Sequence, residues 1–282
     1  MGAADVVPGV SGGTMALILG VYARLLTAIG NLTRAQAWRH VRRRDWRTAW
    51  RSVDGTFLLG LVAGIAASVI ALAGVIEGAL ETARPQVYAL FAGMIGASIA
   101  VVAAEVGRWR LVEAAAAAGA AAAATIIVGL TPIDTPDAAW FLVLAGAIGI
   151  CALVLPGVSG AFLLVLMGKY ETVIGAIARG DVVTLLPFAA GAAVGLLAFA
   201  RVLSGWLRRF PDPTHAALAG FLLGSLPRVW PWQPDDAARL TLLAPPDAAA
   251  AATAGALALL GAGAVWGLHR WGRRTAARTA GG

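Results

Sequence analysis

Long apolar runs separated by short polar or Pro/Gly-rich breaks organise the chain. Runs near the ~20 residues that cross a bilayer as a helix recur. They predict spanning helices at about 55–80, 86–106, 111–130, 182–206, 213–226 and 247–268. Two further apolar stretches, at about 14–30 and 139–178, are tied to Pro/Gly breaks. Between Arg34 and Arg51 the pattern changes. Arg39, Arg42, Arg43, Arg44 and Arg47 interleave with Trp38, Trp46 and Trp50. Trp46, Trp50 and Val53 follow helical spacing, which fits an amphipathic interfacial helix. A basic loop with Trp anchors fits equally, and either places this segment on the cytoplasmic face.

The breaks are a repeated motif. Val7-Pro8-Gly9-Val10-Ser11-Gly12-Gly13-Thr14 returns as Leu155-Pro156-Gly157-Val158-Ser159-Gly160-Ala161. Each copy leads into an apolar stretch that closes on Gly20-Val21-Tyr22 or Gly168-Lys169-Tyr170. Proline removes a backbone donor and ends a helix. Glycine permits the turn and close approach to the backbone. Such irregular backbone is tolerated at membrane depth only when buried in protein or lining a cavity. The repeat continues. Leu61-Val62-Ala63-Gly64 matches Phe188-Ala189-Ala190-Gly191, and Phe91-Ala92-Gly93-Met94-Ile95 matches Leu218-Ala219-Gly220-Phe221-Leu222. The register shift between motif and later matches corresponds to the Arg/Trp segment, which the second half lacks. The expected fold is an all-α polytopic membrane protein built as an inverted repeat, each half a broken re-entrant hairpin plus three transmembrane helices. Its parts are 1–137, 138–268 and a basic cytoplasmic tail, 269–282. The second motif has an apolar entry arm, Trp140 to Leu155, and the first has only a few residues before Pro8. Either the first hairpin lacks its entry arm or the chain starts at an internal Met, and the expectation is the latter, a first repeat whose arm is truncated.

Composition supports the membrane reading. Of 282 residues, 59% are hydrophobic and 13% charged, and mean hydropathy is +0.79. Soluble domains carry about 25% charged residues. No cleavable signal peptide is visible, because Asp5 and Pro8 interrupt the N-terminus. The net charge of +7 would suggest nucleic acid in a soluble protein. Here the arginines cluster between apolar runs, as the positive-inside rule requires, and no nucleic-acid partner is expected. With Arg34–Arg51 inside, Arg108, Arg110, Arg208, Arg209 and the tail also fall inside, provided 139–178 enters and leaves from one face. Asp134 and Asp137 then fall outside. One crossing by 139–178 would break this pattern. A re-entrant hairpin and two full spans both preserve it, and the Pro-Gly break favours the hairpin.

The candidate chemistry is anion binding. Helices that restart after Ser11 and Ser159 present N–H groups and a positive dipole end. The candidate site comprises Pro8, Gly9, Ser11, Gly12, Gly13 and Thr14 from one copy and Pro156, Gly157, Ser159 and Gly160 from the other. Arg24, Lys169 (the only lysine) and Arg201 either guide the anion or snorkel to the interface. Asp5 is either a helix cap or a proton-linked carboxylate. Structurally, the motif could instead be a packing kink of small residues. Gly9-Val10-Ser11-Gly12-Gly13 also fits the Gly-x-Ser-x-Gly nucleophile pattern, which needs a strand–turn–helix context absent here. A rhomboid-like intramembrane serine protease would have His215 as its sole possible base. Neither a Walker lysine, His-Glu-x-x-His nor a Cys pair is present. An enzyme is not expected, nor a cofactor or metal; coupling to protons or sodium is left open.

At these residues the chain resembles the DUF368 family of bacterial membrane proteins. The likeness rests on Ala4-Asp5-Val6-Val7-Pro8-Gly9-Val10-Ser11-Gly12-Gly13-Thr14 through Tyr22, and on Pro156-Gly157-Val158-Ser159-Gly160 through Gly168-Lys169-Tyr170-Glu171. It implies translocation of undecaprenyl phosphate back across the bacterial cytoplasmic membrane, for recycling of the envelope carrier lipid. The implied partners are a lipid phosphate, membrane lipids and, as an option, further copies of the chain. Ala23-Arg24 stands where the family carries an acidic residue after the tyrosine, so no carboxylate role transfers to that position. The family's apolar arm before the first block is absent here. A transporter of a small soluble anion is the alternative with the same motif physics.

Overall fold

Helices account for all the regular structure among the described residues. The computed structural model describes residues 1–2, 12–133, 135–233 and 242–280, without the side chains of 36, 37, 73 and 273–280. Pro8, Gly9 and Ser11, with Asp5 and Asp134, lie outside the described residues. In order the elements are α1 (Gly12–Ile18), α2 (Tyr22–Leu32), α3 (Ala35–Arg42), α4 (Trp46–Ser52), α5 (Gly55–Ala104), α6 (Leu111–Gly129), α7 (Ala139–Val154), α8 (Gly160–Leu166), α9 (Tyr170–Arg179), α10 (Val182–Arg209), α11 (Pro211–Ser225), a 3-10 helix (Leu226–Val229) and α12 (Ala248–Ala280). Five described helical segments are long and apolar enough to cross a membrane, or up to seven if each bent pair counts as one span.

Each interrupted stretch has a sharp bend at a left-handed glycine, and the second also breaks earlier, at Pro156-Gly157. Gly20 (φ +70°) ends α1, and Gly168 (φ +61°) ends α8. In both, N–H groups after the helix fold back to earlier carbonyls, Val21 to Ala16 and Lys169 to Leu164. The following helices turn away by 118° and 109°. The second stretch is therefore a hairpin of α7 and α8, with α9 leaving at an angle. The basic segment forms two short helices, α3 and α4, joined at Arg44 in a left-handed conformation (φ 57°).

The first predicted pair of spans forms α5, one helix by hydrogen bonding but bent at Ala83 (φ −142°, ψ 41°) next to Pro85. Phe210, between α10 and α11, has nearly the same geometry (φ −135°, ψ 64°). Of the matched glycines, Gly93 and Gly220 pack alike, whereas Gly64 has nothing within 4 Å of a Cβ and its match Gly191 is in close backbone contact. A Cβ on Gly93 would overlap the Ala258 carbonyl of α12, and one on Gly220 would overlap the Ala117 carbonyl of α6. Gly191 of α10 meets Val143 of α7 the same way. Such backbone contact is how helices associate in lipid, where burying apolar area gains little. The main buried cluster joins Ala16, Tyr22, Leu26, Tyr88, Ile95, Val154, Leu203, Leu222 and Val229. Residues from both sequence halves thus enclose the end of α7.

Candidate functional site

Pro156 cannot donate to the α7 ladder, so α7 stops at Val154 and Leu155 runs extended (φ −69°, ψ 128°). Gly157 then takes φ +86°. A Cβ there would lie 2.9 Å from both the Phe221 carbonyl and Ser225 Oγ of α11, so only glycine fits. Ser159 caps α8, its Oγ accepting from the Phe162 N–H at 3.4 Å.

The first motif reaches this break directly. The Gly157 N–H donates to Thr14 Oγ1 at 3.0 Å. Gly13 packs on the carbonyls of Leu153 and Val154. Tyr22 Oη donates to the Val154 carbonyl at 3.1 Å, satisfying an acceptor that the end of α7 leaves over. Thr14 is 2% exposed and Ser159 8%. Each hydroxyl accepts a bond from a backbone N–H, so each retains its own hydrogen to donate. The structure thus brings Gly12, Gly13, Thr14, Pro156, Gly157, Ser159 and Gly160 together in buried surroundings.

The three predicted cations bond elsewhere. Arg24 grips Asp54 with two hydrogen bonds, 2.6 and 3.0 Å, and stacks on Phe57 at 4.3 Å. That bond holds the Asp54 carboxyl below the usual carboxylate range. Lys169 is 2% exposed and donates to Asp137 Oδ1 at 2.6 Å and the Thr135 carbonyl at 2.8 Å. The same loop is knit to the tip of α8 by Ile133 N–H to the Leu166 carbonyl (2.9 Å) and by Thr135 to the Met167 carbonyl. Arg201 is exposed and donates to Thr33 Oγ1 at 3.3 Å.

Sequence reasoning missed Tyr22, Asp54 and Asp137 as partners. Tyr22 was visible as the shared end of both motif blocks. His215 is held by the Pro211 carbonyl (2.9 Å) at the start of α11. It sits ten residues, about 15 Å of helix, from Ser225 beside Gly157, so it forms no dyad with Ser159. Among the described residues no group of His, Cys, Asp or Glu is arranged to hold a metal. A cavity of 430 Å³ lined by Arg24, Thr27, Asn31, Arg51 and Asp54, and an apolar one of 290 Å³ lined by Trp38, Trp46 and Trp50, lie at the basic segment.

These features define a multi-pass helical membrane protein in which the helix that follows the first motif packs on the second Pro-Gly break. Residues 1–242 match a family model described as undecaprenyl phosphate translocase-like, and the chain belongs to that family. A similar protein is the "Polyprenyl-phosphate transporter" of Vibrio cholerae serotype O1 (strain ATCC 39315 / El Tor Inaba N16961), 37% identical over 235 residues, which are 83% of this chain and 75% of that protein. No solved structure matches the chain.

Proposed function

We propose that the protein transports a polyprenyl phosphate between the leaflets of the bacterial cytoplasmic membrane, with undecaprenyl phosphate as the substrate and carrier-lipid recycling as the purpose. Family membership and the name of the similar Vibrio protein support the substrate class. The observation that carries the site is the hydrogen bond from the Gly157 N–H to Thr14, which joins the second break to the helix of the first. A polyprenyl phosphate has an anionic head and an apolar tail. Moving even one charge to the bilayer centre costs ~3 kcal/mol or considerably more. Hydroxyl hydrogens of Thr14, Ser159 and Ser11 would replace lost water around the head while the tail stays in lipid. The matched bends at Ala83 and Phe210 and the matched contacts of Gly93 and Gly220 favour two inverted halves that rock about this point. On this reading the protein is a transporter rather than an enzyme.

The test is flipping of a fluorescent polyprenyl phosphate in proteoliposomes. A bond to a charged oxygen is worth about 1.5–3 kcal/mol, so Thr14→Val and Ser159→Ala should each slow flipping by roughly tenfold or more. Unchanged flipping in Thr14→Val/Ser159→Ala combined with Ser11→Ala would remove the motif from the pathway. Release of trapped inorganic phosphate without lipid movement would favour the soluble-anion alternative.

A further inference from the structure

The Arg/Trp segment holds two cavities that the motif does not explain. They lie on the two sides of the end of α4, where it meets the end of α2. One, of 430 Å³, is polar and lined by Arg24, Thr27, Asn31, Arg51 and Asp54. The other, of 290 Å³, is apolar and lined by Leu32, Trp38, Trp46, Trp50 and Val53. Neighbouring residues serve both, Asn31 with Leu32 on α2 and Arg51 with Trp50 on α4. A helix is about 10 Å wide and one leaflet roughly 20 Å deep. A single amphiphile of that length reaches both, with its polar head on one side and its tail on the other.

The frame around the cavities is fastened. Asn31 Nδ2 donates to the Ser52 carbonyl at 3.0 Å and so ties α2 to α4. Trp38 Nε1 donates to the Leu32 carbonyl at 2.9 Å, and Trp50 Nε1 to Thr56 Oγ1 at 3.0 Å. With their polar edges bonded, these indoles keep their faces for apolar contact. All three tryptophans are exposed, as suits rings at the head-group level of a bilayer. The polar cavity makes two demands. Asn31 Oδ1 is buried and accepts no hydrogen bond among the described residues. A buried acceptor left in that state is costly, and a donor on a ligand removes the cost. The second demand is charge. Arg24 is paired with Asp54 at 2.6 Å, whereas Arg51 has no ion pair among the described residues, so the cavity is positive by one.

A phosphodiester of one negative charge that also carries a hydroxyl meets both demands. Its phosphate oxygens suit the Arg51 fork, and its hydroxyl suits Asn31 Oδ1. An ethanolamine head group is neutral overall and leaves Arg51 unanswered. A fully ionised phosphate monoester has two charges and no hydrogen for Asn31. The positive-inside rule sets this segment on the cytoplasmic face, where anionic lipids attract arginine. We infer that α2, α4 and the start of α5 form a binding site for one phosphatidylglycerol-type phospholipid of the cytoplasmic leaflet, with its head in the polar cavity and an acyl chain against the tryptophans. The site is separate from the Thr14–Gly157 junction and does not depend on the transport reading. Because α2 begins at Tyr22, which bonds the Val154 carbonyl, the lipid braces the far end of a helix that touches the motif site.

The experiment uses the full chain, purified in detergent and stripped of lipid. Native mass spectrometry counts retained lipid as phosphatidylglycerol, phosphatidylethanolamine, phosphatidic acid or a short prenyl phosphate is titrated. One phosphatidylglycerol should be held about tenfold more tightly than any of the others. Arg51→Gln should weaken it by about tenfold, and Arg51→Lys, which keeps the charge, by less. Trp46→Ala should weaken it by about fivefold. Trp46 is 64% exposed, so this variant spares the fold even if Arg51→Gln does not. Arg43→Gln removes a charge of the same segment that lines neither cavity, and should change retention by less than about twofold. Equal retention of phosphatidylglycerol and phosphatidylethanolamine, or equal loss in Arg43→Gln and Arg51→Gln, would overturn the inference, since either marks diffuse attraction to a basic surface. Tighter retention of the prenyl phosphate, lost in Arg51→Gln, would overturn it too and make the cavity part of the transported lipid's path.

Discussion

Among the described residues Lys169 is the largest fully buried side chain, ahead of Ile18 and Leu26, at 2% exposure, and it carries a charge. An ammonium so placed needs partners, and it has the Asp137 carboxylate, the Thr135 carbonyl and the Phe141 ring at 5.7 Å. Asp137 is itself 77% exposed, so solvent screens the pair and its worth falls below that of a fully buried one. Asp137→Asn strands the ammonium and should cost about 2 kcal/mol. Lys169→Met/Asp137→Asn removes the charge with its partner and should cost less than Asp137→Asn alone. Thermal unfolding in detergent reads the order of the three proteins. Equal or greater loss in the double variant would show that the ion pair, rather than a stranded charge, sets the stability of this corner. The lysine was conspicuous in the sequence as the only one, but its partner was not, because the contact spans more than thirty residues and depends on how α8 folds back.

Helix contacts in this bundle turn on which glycines face a neighbour. Gly93 and Gly220 abut the backbone of α12 and α6, whereas Gly60, in the first arm of α5, has nothing within 4 Å of a built Cβ. Gly93→Ala and Gly220→Ala should therefore force helices apart and each cost about 1–3 kcal/mol. Gly60→Ala should be neutral or stabilising by up to about 1 kcal/mol, since alanine is the better helix former. Unfolding midpoints in detergent distinguish these outcomes, and equal effects at all three positions would sink the packing argument. The run lengths made α6, α10 and α12 legible, and Pro156-Gly157 marked the end of α7. The matched Gly93 and Gly220 were legible as a pair too. Their partners Ala258 and Ala117 sit in alanine-rich stretches where no residue stands out, so pairing of helices could not be read. Gly20 and Gly168 were noted as block ends, yet their role as left-handed stops appears only once the helices beyond them are seen to turn. In the candidate site, the motif residues were legible because proline and glycine act locally. Tyr22 as the partner of Val154 was not, because that contact forms through tertiary packing.

Across the whole molecule, two ion pairs fasten the segments that follow the motif helices, Arg24–Asp54 beside the basic segment and Lys169–Asp137 at the tip of α8. The first lies at the start of α5 and the second at the loop between α6 and α7. With α5 crossing, returning at Ala83, and α6 crossing again, these two loops fall on opposite membrane faces. That arrangement requires α7 and α8 to enter and leave from one face, so that α10 brings Arg208 and Arg209 back to the face of the basic segment. Single cysteines test it in a Cys151→Ala background, since Cys151 is the only native thiol. Arg39→Cys and Arg208→Cys should react with a membrane-impermeant maleimide only in inverted vesicles, and Thr131→Cys only in intact cells. If α7, α8 and α9 together made one crossing, Arg39→Cys and Arg208→Cys would label from opposite sides. That result would put Asp212 and Gly107 on opposite faces, although a 3.1 Å hydrogen bond joins them, and so would contradict the packing of α11 beside the end of α5.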